Sequence, residues 1–369
     1  MRIAVVAPLF AQLVPGRPYG PHAFLVDLAR TLQRRGHEVT VYCPAGSRMP
    51  GITIREVSVS PLVREAQLVP HRHSPGASPP AAIGAVASAD VAFAVRQAFG
   101  DVYAAIDQDG ADVISQHAFD AQAFELGAGR RVLHTLHLPP IAPRVVAAAR
   151  SAEWLAAVSE ATRRDWQAAG VKVSLVLRNG VPTRDPVHPA VEPVALMAGR
   201  ISPEKGVATG IRAALRAGLR PRVVGEPDDR EYFEVEVRPL LGSAELVPTV
   251  PREQLWRLMG HAAVTLLPIA WEEPFGLVAA ESQMAGCPVA GYRRGALPEV
   301  VEEGVSGLLV EPGDEDALVR AIGAAQKLPR DRVAASARRR LGIDAAVDAY
   351  ERAFDEIVAR TAARMNRTG

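Results

Sequence analysis

The stretch Glu272–Glu281, with the sequence EEPFGLVAAE, combines a predicted helix start with acids on both sides of it. Pro274 suits the first position of a helix, so the amides of the three residues after it are expected to point back over the preceding loop. A helix start of this kind attracts anions and hydroxyl oxygens. Glu281 lies at helical spacing from Leu277, which places its carboxylate on the apolar face of the helix. The other interpretation is a slipped register, in which Glu281 faces water.

A second informative stretch, Gly199–Gly206 (GRISPEKG), follows an apolar strand and precedes a predicted helix. Lysine occurs only at positions 172, 205 and 327, so the lysine inside this motif is a candidate for a specific role. Arg200 and Lys205 would repel each other unless an anion joins them, and a diphosphate would do so. The alternative is a solvated capping turn, with Ser202 as the cap and Pro203 in the first helical position. That alternative does not explain the glycine and both cations together.

The composition excludes several classes of protein. The chain has 369 residues, which fits two domains of ordinary size. Its net charge is +1 with no basic block, so nucleic acid is not expected as a partner. No segment is long and apolar enough to predict a membrane span, and the chain opens on a strand instead of a signal peptide. Cys43 and Cys287 are the only cysteines, which suits a reduced, cytoplasmic protein. Peripheral membrane contact and the oligomeric state are left open.

The order of predicted elements indicates an α/β fold with two doubly wound parallel sheets. Strands and helices alternate in two series along the chain, and the proline-rich segment Pro182–Pro193 separates them. We therefore predict domains at residues 1–182 and 183–344, with ligands in the cleft between them, beyond the carboxyl ends of the strands. No GxGxxG motif follows either first strand, so a dinucleotide fold of the usual type is not indicated. The predicted helices of the second series include residues 203–217, 252–259, 314–326 and 343–365.

Together, these motifs resemble the retaining glycosyltransferases of family 4, which have the GT-B fold. The likeness is carried by Gly199-Arg200 through Glu204-Lys205-Gly206, and by Glu273-Pro274-Phe275-Gly276-Leu277 through Glu281. Lesser matches are the loop before the first helix, His117, Asn179–Val181, Gly225 and the turn Gly295–Glu299. The resemblance implies two Rossmann-like domains with the active site between them, the first for an acceptor and the second for a nucleotide-sugar donor. A C-terminal helix, at about residues 345–365, is expected to pack back on the first domain.

The resemblance also implies roles for individual residues. Arg200 and Lys205 would hold the nucleoside diphosphate, and Glu281 would bind the ribose diol. Glu273 and the amides that follow it would hold hydroxyls of the donor sugar, and His117 would approach that sugar from the first domain. The residues with an implied catalytic role are His117, Arg200, Lys205 and Glu273. Those with an implied role in donor binding are Gly199, Arg200, Lys205, Gly225, Glu273, Pro274, Phe275, Gly276, Leu277 and Glu281.

The acceptor side is marked more weakly by the sequence. Relatives often have paired glycines before the first helix, whereas here Gly20 is followed by Pro21, and Gly16 is the residue that supplies backbone freedom. His137 ends a strand near the expected acceptor, while His117 alone could equally be a satisfied loop histidine. No cysteine or acid has the right spacing to complete a zinc site with His134 and His137, or with His71 and His73, so no metal is expected.

The predicted function is metal-independent transfer of a sugar from a UDP-, GDP- or ADP-sugar to an acceptor hydroxyl, with retention of configuration. No cofactor is expected besides the donor, and the acceptor is predicted to be small and polar. The family resemblance leaves two alternatives open: a glycoside phosphorylase with the same fold, and a nucleotide-sugar-binding protein without catalysis. Because the implied donor residues and His117 lie in different halves, catalysis is also expected to require closure of the two domains.

Overall fold

Two parallel β-sheets form the framework of the protein in a computed structural model that describes residues 1–14, 20–63, 89–184 and 190–368. Gly16, most of the proline-rich segment 61–80 with its two histidines, and residues 185–189 of the predicted linker lie outside the described ranges. The neighbouring strands of both sheets pair in parallel. This arrangement is the doubly wound α/β architecture predicted from the alternation of elements.

The first sheet contains, within the described residues, the seven strands β1 (Arg2–Val6), β2 (Glu38–Pro44), β3 (Thr53–Val57), β4 (Val113–Gln116), β5 (Val132–Leu136), β6 (Trp154–Ala157) and β7 (Leu175–Val176). Their order is β3-β2-β1-β4-β5-β6-β7, so the order reverses between β1 and β4. Every residue of β4, β5 and β6 is buried, as expected for strands covered by helices on both faces. The accompanying helices are α1 (Gly20–Arg34), α2 (Ala89–Asp109), α3 (Ala121–Gly127), α4 (Pro143–Ala149) and α5 (Glu160–Ala168).

The second sheet contains, in the described part of the chain, the six strands β8 (Glu192–Ala198), β9 (Arg220–Val224), β10 (Glu245–Val247), β11 (Ala262–Leu267), β12 (Val289–Tyr292) and β13 (Gly307–Val310). The order is β10-β9-β8-β11-β12-β13, which reverses between β8 and β11. A ligand crevice is expected beyond the carboxyl ends of these two strands. The helices are α6 (Val207–Arg216), α7 (Arg230–Tyr232), α8 (Arg252–His261), α9 (Leu277–Met284), α10 (Leu297–Val300), α11 (Glu315–Ala325), α12 (Arg330–Leu341) and α13 (Ile343–Thr368), and a π turn (Phe233–Val237) and a 3-10 turn (Arg238–Ser243) extend α7.

The C-terminal helix α13 packs against the first half of the molecule. Tyr350 is fully buried there, with its hydroxyl 3.1 Å from the Thr135 hydroxyl and its ring 5.9 Å from the ring of Phe24. At the surface, Arg35, which directly follows α1, donates to Glu351 at 2.7 Å. The end of the chain therefore completes the hydrophobic core beneath β4 and β5.

One predicted element has a different form in the structure. The helix predicted over residues 203–217 is interrupted, because a 3-10 turn (Pro203–Lys205) is followed by Gly206 in the left-handed conformation, with φ at 66°. Ser202 does not cap this turn and instead donates to the Glu204 carboxylate at 2.7 Å. The prediction of one continuous helix was wrong, and the break turns the loop with Lys205 toward β11.

Candidate active site

The two sequence motifs of the second half line one cavity. It lies beyond the carboxyl ends of β8 and β11, at the reversal of strand order, and its floor is made of apolar side chains from the strands. The structure thereby brings together residues that are about 70 positions apart in the chain. The polar and glycine residues around this cavity are Gly199, Arg200, Lys205, Glu273 and Gly276.

Each cation of the site has an acidic partner. The Lys205 ammonium donates to Oε2 of Glu273 at 2.7 Å, and the same oxygen accepts the indole N–H of Trp271 at 2.8 Å. Arg200 donates to Glu204 at 2.9 Å and also pairs with Asp228. The repulsion expected between the two cations is therefore offset by acids when no ligand is present. Anionic oxygens entering the cavity would compete with these acids for the same N–H groups.

The loop before α9 differs from its predicted form. The helix begins at Leu277 and not at Pro274, because Gly276 precedes it with φ at 92°, a left-handed conformation that suits glycine. In the described part of the chain, the amides of Phe275 and Gly276 have no hydrogen-bond acceptor, so both can serve a ligand. The Pro274 carbonyl, in contrast, accepts hydrogen bonds from two hydroxyls of the first half.

Those two hydroxyls belong to the start of α5. Ser159 donates to the Pro274 carbonyl at 2.7 Å and Thr162 donates to it at 3.1 Å. Close by, the Glu299 carboxylate accepts the amides of Glu160 at 3.0 Å and Ala161 at 2.8 Å. An acid from the second half thus caps a helix of the first half, where the helix dipole favours it. These contacts fix the position of the glycine-containing loop relative to the other half.

Glu281 is buried, with only 6% of its surface exposed, so the slipped register is excluded. Its Oε1 accepts the Nε–H of Arg252 at 2.6 Å, and Arg252 also donates to Asp27 of α1 at 2.6 Å. Burial raises the pKa of the Glu281 carboxyl above its ordinary value, although the guanidinium acts in the opposite direction. A buried acid therefore lies in α9, just after the glycine-containing loop, and is held by an arginine.

Gly199 and Gly225 end the neighbouring strands β8 and β9. Their backbones are in such close contact that a side-chain carbon on Gly225 would lie 1.9 Å from the carbonyl oxygen of Gly199. Glycine is required there because any larger residue would separate the two strand ends. On the opposite side of the cleft, Gly20 begins α1, and a side-chain carbon there would lie 3.3 Å from Leu277. The start of α1 therefore lies beside the start of α9.

The histidines of the first half form a buried cluster. His117 has no exposed surface, and its two ring nitrogens lie 2.9 Å from Ser115 Oγ and 2.9 Å from His137 Nε2. Burial lowers the pKa of His137 to about 3 and that of His22 to about 4, and it also lowers the pKa of His117 well below the ordinary value. All three rings are therefore neutral near pH 7. In this arrangement no ring nitrogen of His117 is free for a sugar, so its implied role stays a prediction.

A second, apolar cavity lies next to this cluster. Phe119, Leu138, Ile141 and Trp166 are among its lining residues, and His137 adds one of its few polar side chains. His134 is stacked on Phe124 with ring centroids 4.6 Å apart, which identifies it as a packing residue. The structure therefore separates His137, which borders a cavity, from His134, which belongs to the core.

Three residues near the site lie outside the sequence motifs and were not predicted from the sequence. They are Trp271, which donates to Glu273, and the pair Asp27 and Arg252, which contacts Glu281. One usable signal was present, because Asp27 interrupts the apolar face of α1 between Phe24 and Leu28. An acid in that position needs a partner, but the partner, Arg252, lies 225 positions away in the chain and cannot be identified from the local sequence.

Across the described ranges, no group of three or more His, Cys, Asp or Glu side chains is arranged to hold a metal ion. Likewise, none of the helices that the structure describes is long and apolar enough to cross a membrane. The expectation that the reaction needs no metal stays a prediction.

The two parallel sheets, with a cavity beyond the carboxyl ends of β8 and β11, define a GT-B protein with two Rossmann-like domains. Residues 20–185 match the family model described as Glycosyltransferase Family 4, and residues 183–341 match the one described as Glycosyl transferases group 1. The chain therefore belongs to glycosyltransferase family 4. The two matches meet at the segment that was predicted as the interdomain linker.

Known relatives support the same family. The D-inositol 3-phosphate glycosyltransferase of Acidothermus cellulolyticus is 38% identical over 146 residues, which cover 35% of this chain and 32% of that protein. The protein of the same name from Geodermatophilus obscurus is 34% identical over 194 residues, covering 45% of this chain and 42% of that protein. The matched part of this chain thus spans less than half the length of these curated relatives.

Solved structures share the fold along nearly the whole chain. Sucrose-phosphate synthase from Thermosynechococcus elongatus superimposes with a TM-score of 0.75 at 19% identity, covering 97% of this chain and 99% of that one. HepE from Anabaena, solved in complex with UDP and glucose, gives a TM-score of 0.68 at 19% identity, covering 96% and 100%. At these identities the likeness shows the fold alone.

Proposed function

We propose that this protein transfers a sugar from a nucleoside diphosphate donor to an acceptor hydroxyl, with retention of configuration and without a metal ion. The observation that carries the proposal is the convergence of Arg200, Lys205 and Glu273 on one cavity at the ends of β8 and β11. Two cations, a carboxylate and two unpaired amides form a set that complements a diphosphate linked to a sugar. An apolar ligand or a cation would leave this set unsatisfied.

Arg200 and Lys205 are assigned to the diphosphate. When the bond between the anomeric carbon and the phosphate oxygen breaks, its electron pair passes to that oxygen, and negative charge grows on the leaving group. Cations already placed around the cavity stabilise this charge more in the transition state than in the ground state. Lys205 moves from Glu273 toward the phosphate in this proposal, or bridges the two.

Glu273 and the amides of Phe275 and Gly276 are assigned to the donor sugar. A carboxylate accepts hydrogen bonds from sugar hydroxyls, while amides donate to their oxygens. Trp271 holds the Glu273 carboxylate at one oxygen, which keeps it oriented when Lys205 moves. The new bond forms between the acceptor oxygen and the anomeric carbon on the face that the leaving group departs. The proton of the acceptor passes to the departing phosphate oxygen, so no histidine base is required.

The comparisons support the substrate classes of the proposal. HepE has been solved with UDP-glucose as well as with UDP and glucose, which supports a nucleoside diphosphate sugar as donor. Several relatives carry the name D-inositol 3-phosphate glycosyltransferase, which supports a hydroxyl-rich acceptor. The base, the sugar and the acceptor of this chain are left for the experiment to identify.

The experiment begins with thermal shifts in UDP, GDP, ADP and TDP, because a ligand of the folded state raises its melting temperature. Transfer is then assayed with sugars of the nucleotide that binds, in wild type and in the variants Arg200→Ala and Glu281→Ala. We expect both variants to lose nucleotide binding and sugar transfer. Unchanged binding and transfer in both would show that the assigned site is wrong. Phosphate-dependent cleavage of a disaccharide would instead identify a phosphorylase, and binding without release of nucleoside diphosphate would identify a non-catalytic protein.

A further inference from the structure

The first half contains an apolar cavity that the proposed donor site leaves unused. It lies at the carboxyl end of β5, and ten of the twelve described residues that line it are apolar. The other two are Thr135 and His137, and the Thr135 hydroxyl already lies 3.1 Å from that of Tyr350. Among the described lining residues, none is charged near pH 7. The cavity therefore offers a ligand apolar contact and one imidazole ring.

The walls of this cavity are held in place by hydrogen bonds within the protein. Trp166 of α5 donates its indole N–H to the Leu138 carbonyl at 2.8 Å, and the Ile141 amide donates to the Pro139 carbonyl at 2.8 Å. Even so, the side chains of Phe119, Leu138 and Ile141 stay partly exposed. Large apolar side chains around a formed cavity gain from a ligand that removes them from water.

Helix α5 connects the cavity to the proposed donor site. Ser159 and Thr162, at the start of this helix, donate to the Pro274 carbonyl at 2.7 and 3.1 Å. Trp166 follows Thr162 by four residues, so the two side chains lie on one face of the helix, about one turn or roughly 6 Å apart. A molecule in the cavity is therefore close to the loop that is assigned to the donor sugar, as an acceptor has to be.

A phosphate group does not fit this cavity. Curated relatives carry a name that includes inositol 3-phosphate. A buried phosphate needs cations or several N–H donors. The described lining residues include no lysine or arginine, and burial lowers the pKa of His137 to about 3, so that its ring stays neutral. A small, wholly polar acceptor, as predicted from the sequence, would leave the apolar walls in contact with water.

The polar and aromatic walls together indicate the shape of the ligand. His137 has its Nε2 2.9 Å from His117 Nδ1, whereas its own Nδ1 makes no hydrogen bond with the described residues. A nitrogen of a neutral imidazole pairs well with a hydroxyl. Phe119, Phe124 and Trp166 also line the cavity, and aromatic side chains favour a planar ring as their partner.

Resting on the proposed function, we propose that the acceptor carries an uncharged aromatic group, which binds in the apolar cavity and presents a nearby hydroxyl to the donor sugar. Leu138, Ile141 and Trp166 select this group by contact, and His137 pairs with a hydroxyl of the same molecule. The bonds that form and break are those of the proposed transfer, so no further reactant is required.

The first test compares acceptors that differ in a single group, with the donor identified by the thermal-shift screen. Phenyl and methyl glycosides of glucose, galactose and mannose form three such pairs, and inositol with inositol 3-phosphate forms a fourth. We expect kcat/KM for a phenyl glycoside to be about tenfold or more above that for its methyl partner, because the phenyl ring is buried. Equal values within every pair, or a higher value for inositol 3-phosphate than for inositol, would overturn the inference.

Variants of the cavity wall locate the preference. Leu138→Asn and Ile141→Asn should each reduce the phenyl preference to about twofold or less and leave the Kd of the nucleoside diphosphate unchanged. Both side chains are partly exposed, so the variants are expected to fold, and their melting temperatures check this. The control is Phe93→Asn, which changes an apolar side chain of α2 that is 69% exposed and outside the cavity. Full phenyl preference in both wall variants would show that the ring binds elsewhere and would overturn the assignment.

Saturation-transfer NMR decides the case in which no glycoside of the panel accepts a sugar. With nucleoside diphosphate bound, the phenyl protons of the glucoside should be saturated more strongly than its sugar protons, and Leu138→Asn should remove this difference. The same saturation in wild type and variant would contradict the inference. Transfer to other acceptors without a phenyl preference would overturn this inference alone. Absence of nucleotide binding and transfer in wild type would overturn the proposed function with it.

Discussion

The second half of the molecule keeps its polar cluster charged and partly exposed, whereas the first half buries neutral histidine rings. Lys205 and Glu273 remain 23% and 14% exposed and form an ion pair in the wall of a cavity that both of them line. His117 has no exposed surface and finds its partners within its own half. The difference indicates where each half meets its ligand. In the proposed function the charged cluster of the second half binds the diphosphate, while the first half offers a mostly apolar cavity beside its histidines.

Lys205→Ala is expected to give the largest effect. It removes one of the two cations assigned to the leaving diphosphate, so kcat/KM for sugar transfer should fall by a factor on the order of 100 or more. Steady-state kinetics with the identified donor measure this loss. The matched control is Lys327→Ala, which removes an exposed lysine outside the cavity and should keep wild-type kinetics. A tenfold or smaller effect of Lys205→Ala would break the assignment of the charged cluster to the diphosphate.

Acid should destabilise the protein through the histidine cluster. The pKa of His137 is lowered to about 3 in the folded protein. The contribution of the neutral His137 ring to the free energy of unfolding is therefore complete above the ordinary histidine pKa. It is lost as the pH falls from about 6.5 toward 3. Each such buried histidine removes about 1.4 kcal/mol of stability per pH unit in this window.

Urea unfolding between pH 7.5 and pH 5 measures that dependence. In His137→Asn the free energy of unfolding should depend less steeply on pH, because one buried titrating ring has been removed. The difference in slope should correspond to about one proton fewer taken up on unfolding. If the slope in this variant equals that of wild type, His137 is accessible to water and the contrast between the two halves is smaller than the structure indicates.

Glu281→Gln should change the free energy of unfolding and the nucleotide affinity in opposite directions. The pKa of the Glu281 carboxyl is raised in the folded protein. Its contribution to the free energy of unfolding is therefore present below the ordinary carboxyl pKa and is lost as the pH rises through the raised pKa. At pH 8 the neutral amide should therefore increase the free energy of unfolding, by on the order of 1 kcal/mol, and leave Arg252 paired with Asp27 alone. Nucleotide affinity should fall in the same variant. A variant that is both less stable and normal in binding would contradict the proposed role of the buried acid.

Ser159→Ala should have the smallest effect on activity. It removes one of two hydrogen bonds to the Pro274 carbonyl, while Thr162 continues to donate to the same atom. It also removes the side-chain cap of α5, because Ser159 accepts the Thr162 amide at 3.0 Å. We expect a loss of about 1 to 2 kcal/mol in stability and a change of about twofold in the KM for the donor. The double variant with Thr162→Val should show a clearly larger change in KM. Equal KM values in wild type and the double variant would mean that the first half does not position this loop.

Much of the fold was predictable because it rests on local patterns. Strands of two to seven residues, most of them apolar, alternate with amphipathic helices, and the prolines between positions 182 and 193 separate the two series. The parts that were not predicted rest on single backbone angles. Gly206 and Gly276 both adopt positive φ values, and each moves a helix start by several residues. A sequence shows that glycine permits this conformation, but not that the surrounding chain requires it.

The sequence by itself determined the two sheets, the family and several of the residues that line the cavity beyond β8 and β11, because strand ends and helix starts place motifs by local rules. Only the tertiary structure decided their partners. Glu281 is held by Arg252, Lys205 by Glu273, and His117 by two neighbours within its own half. The physical reason is that burial and charge pairing depend on which distant segments meet. A carboxylate or an imidazole has the same letter in the sequence whether it is solvated, paired or enclosed.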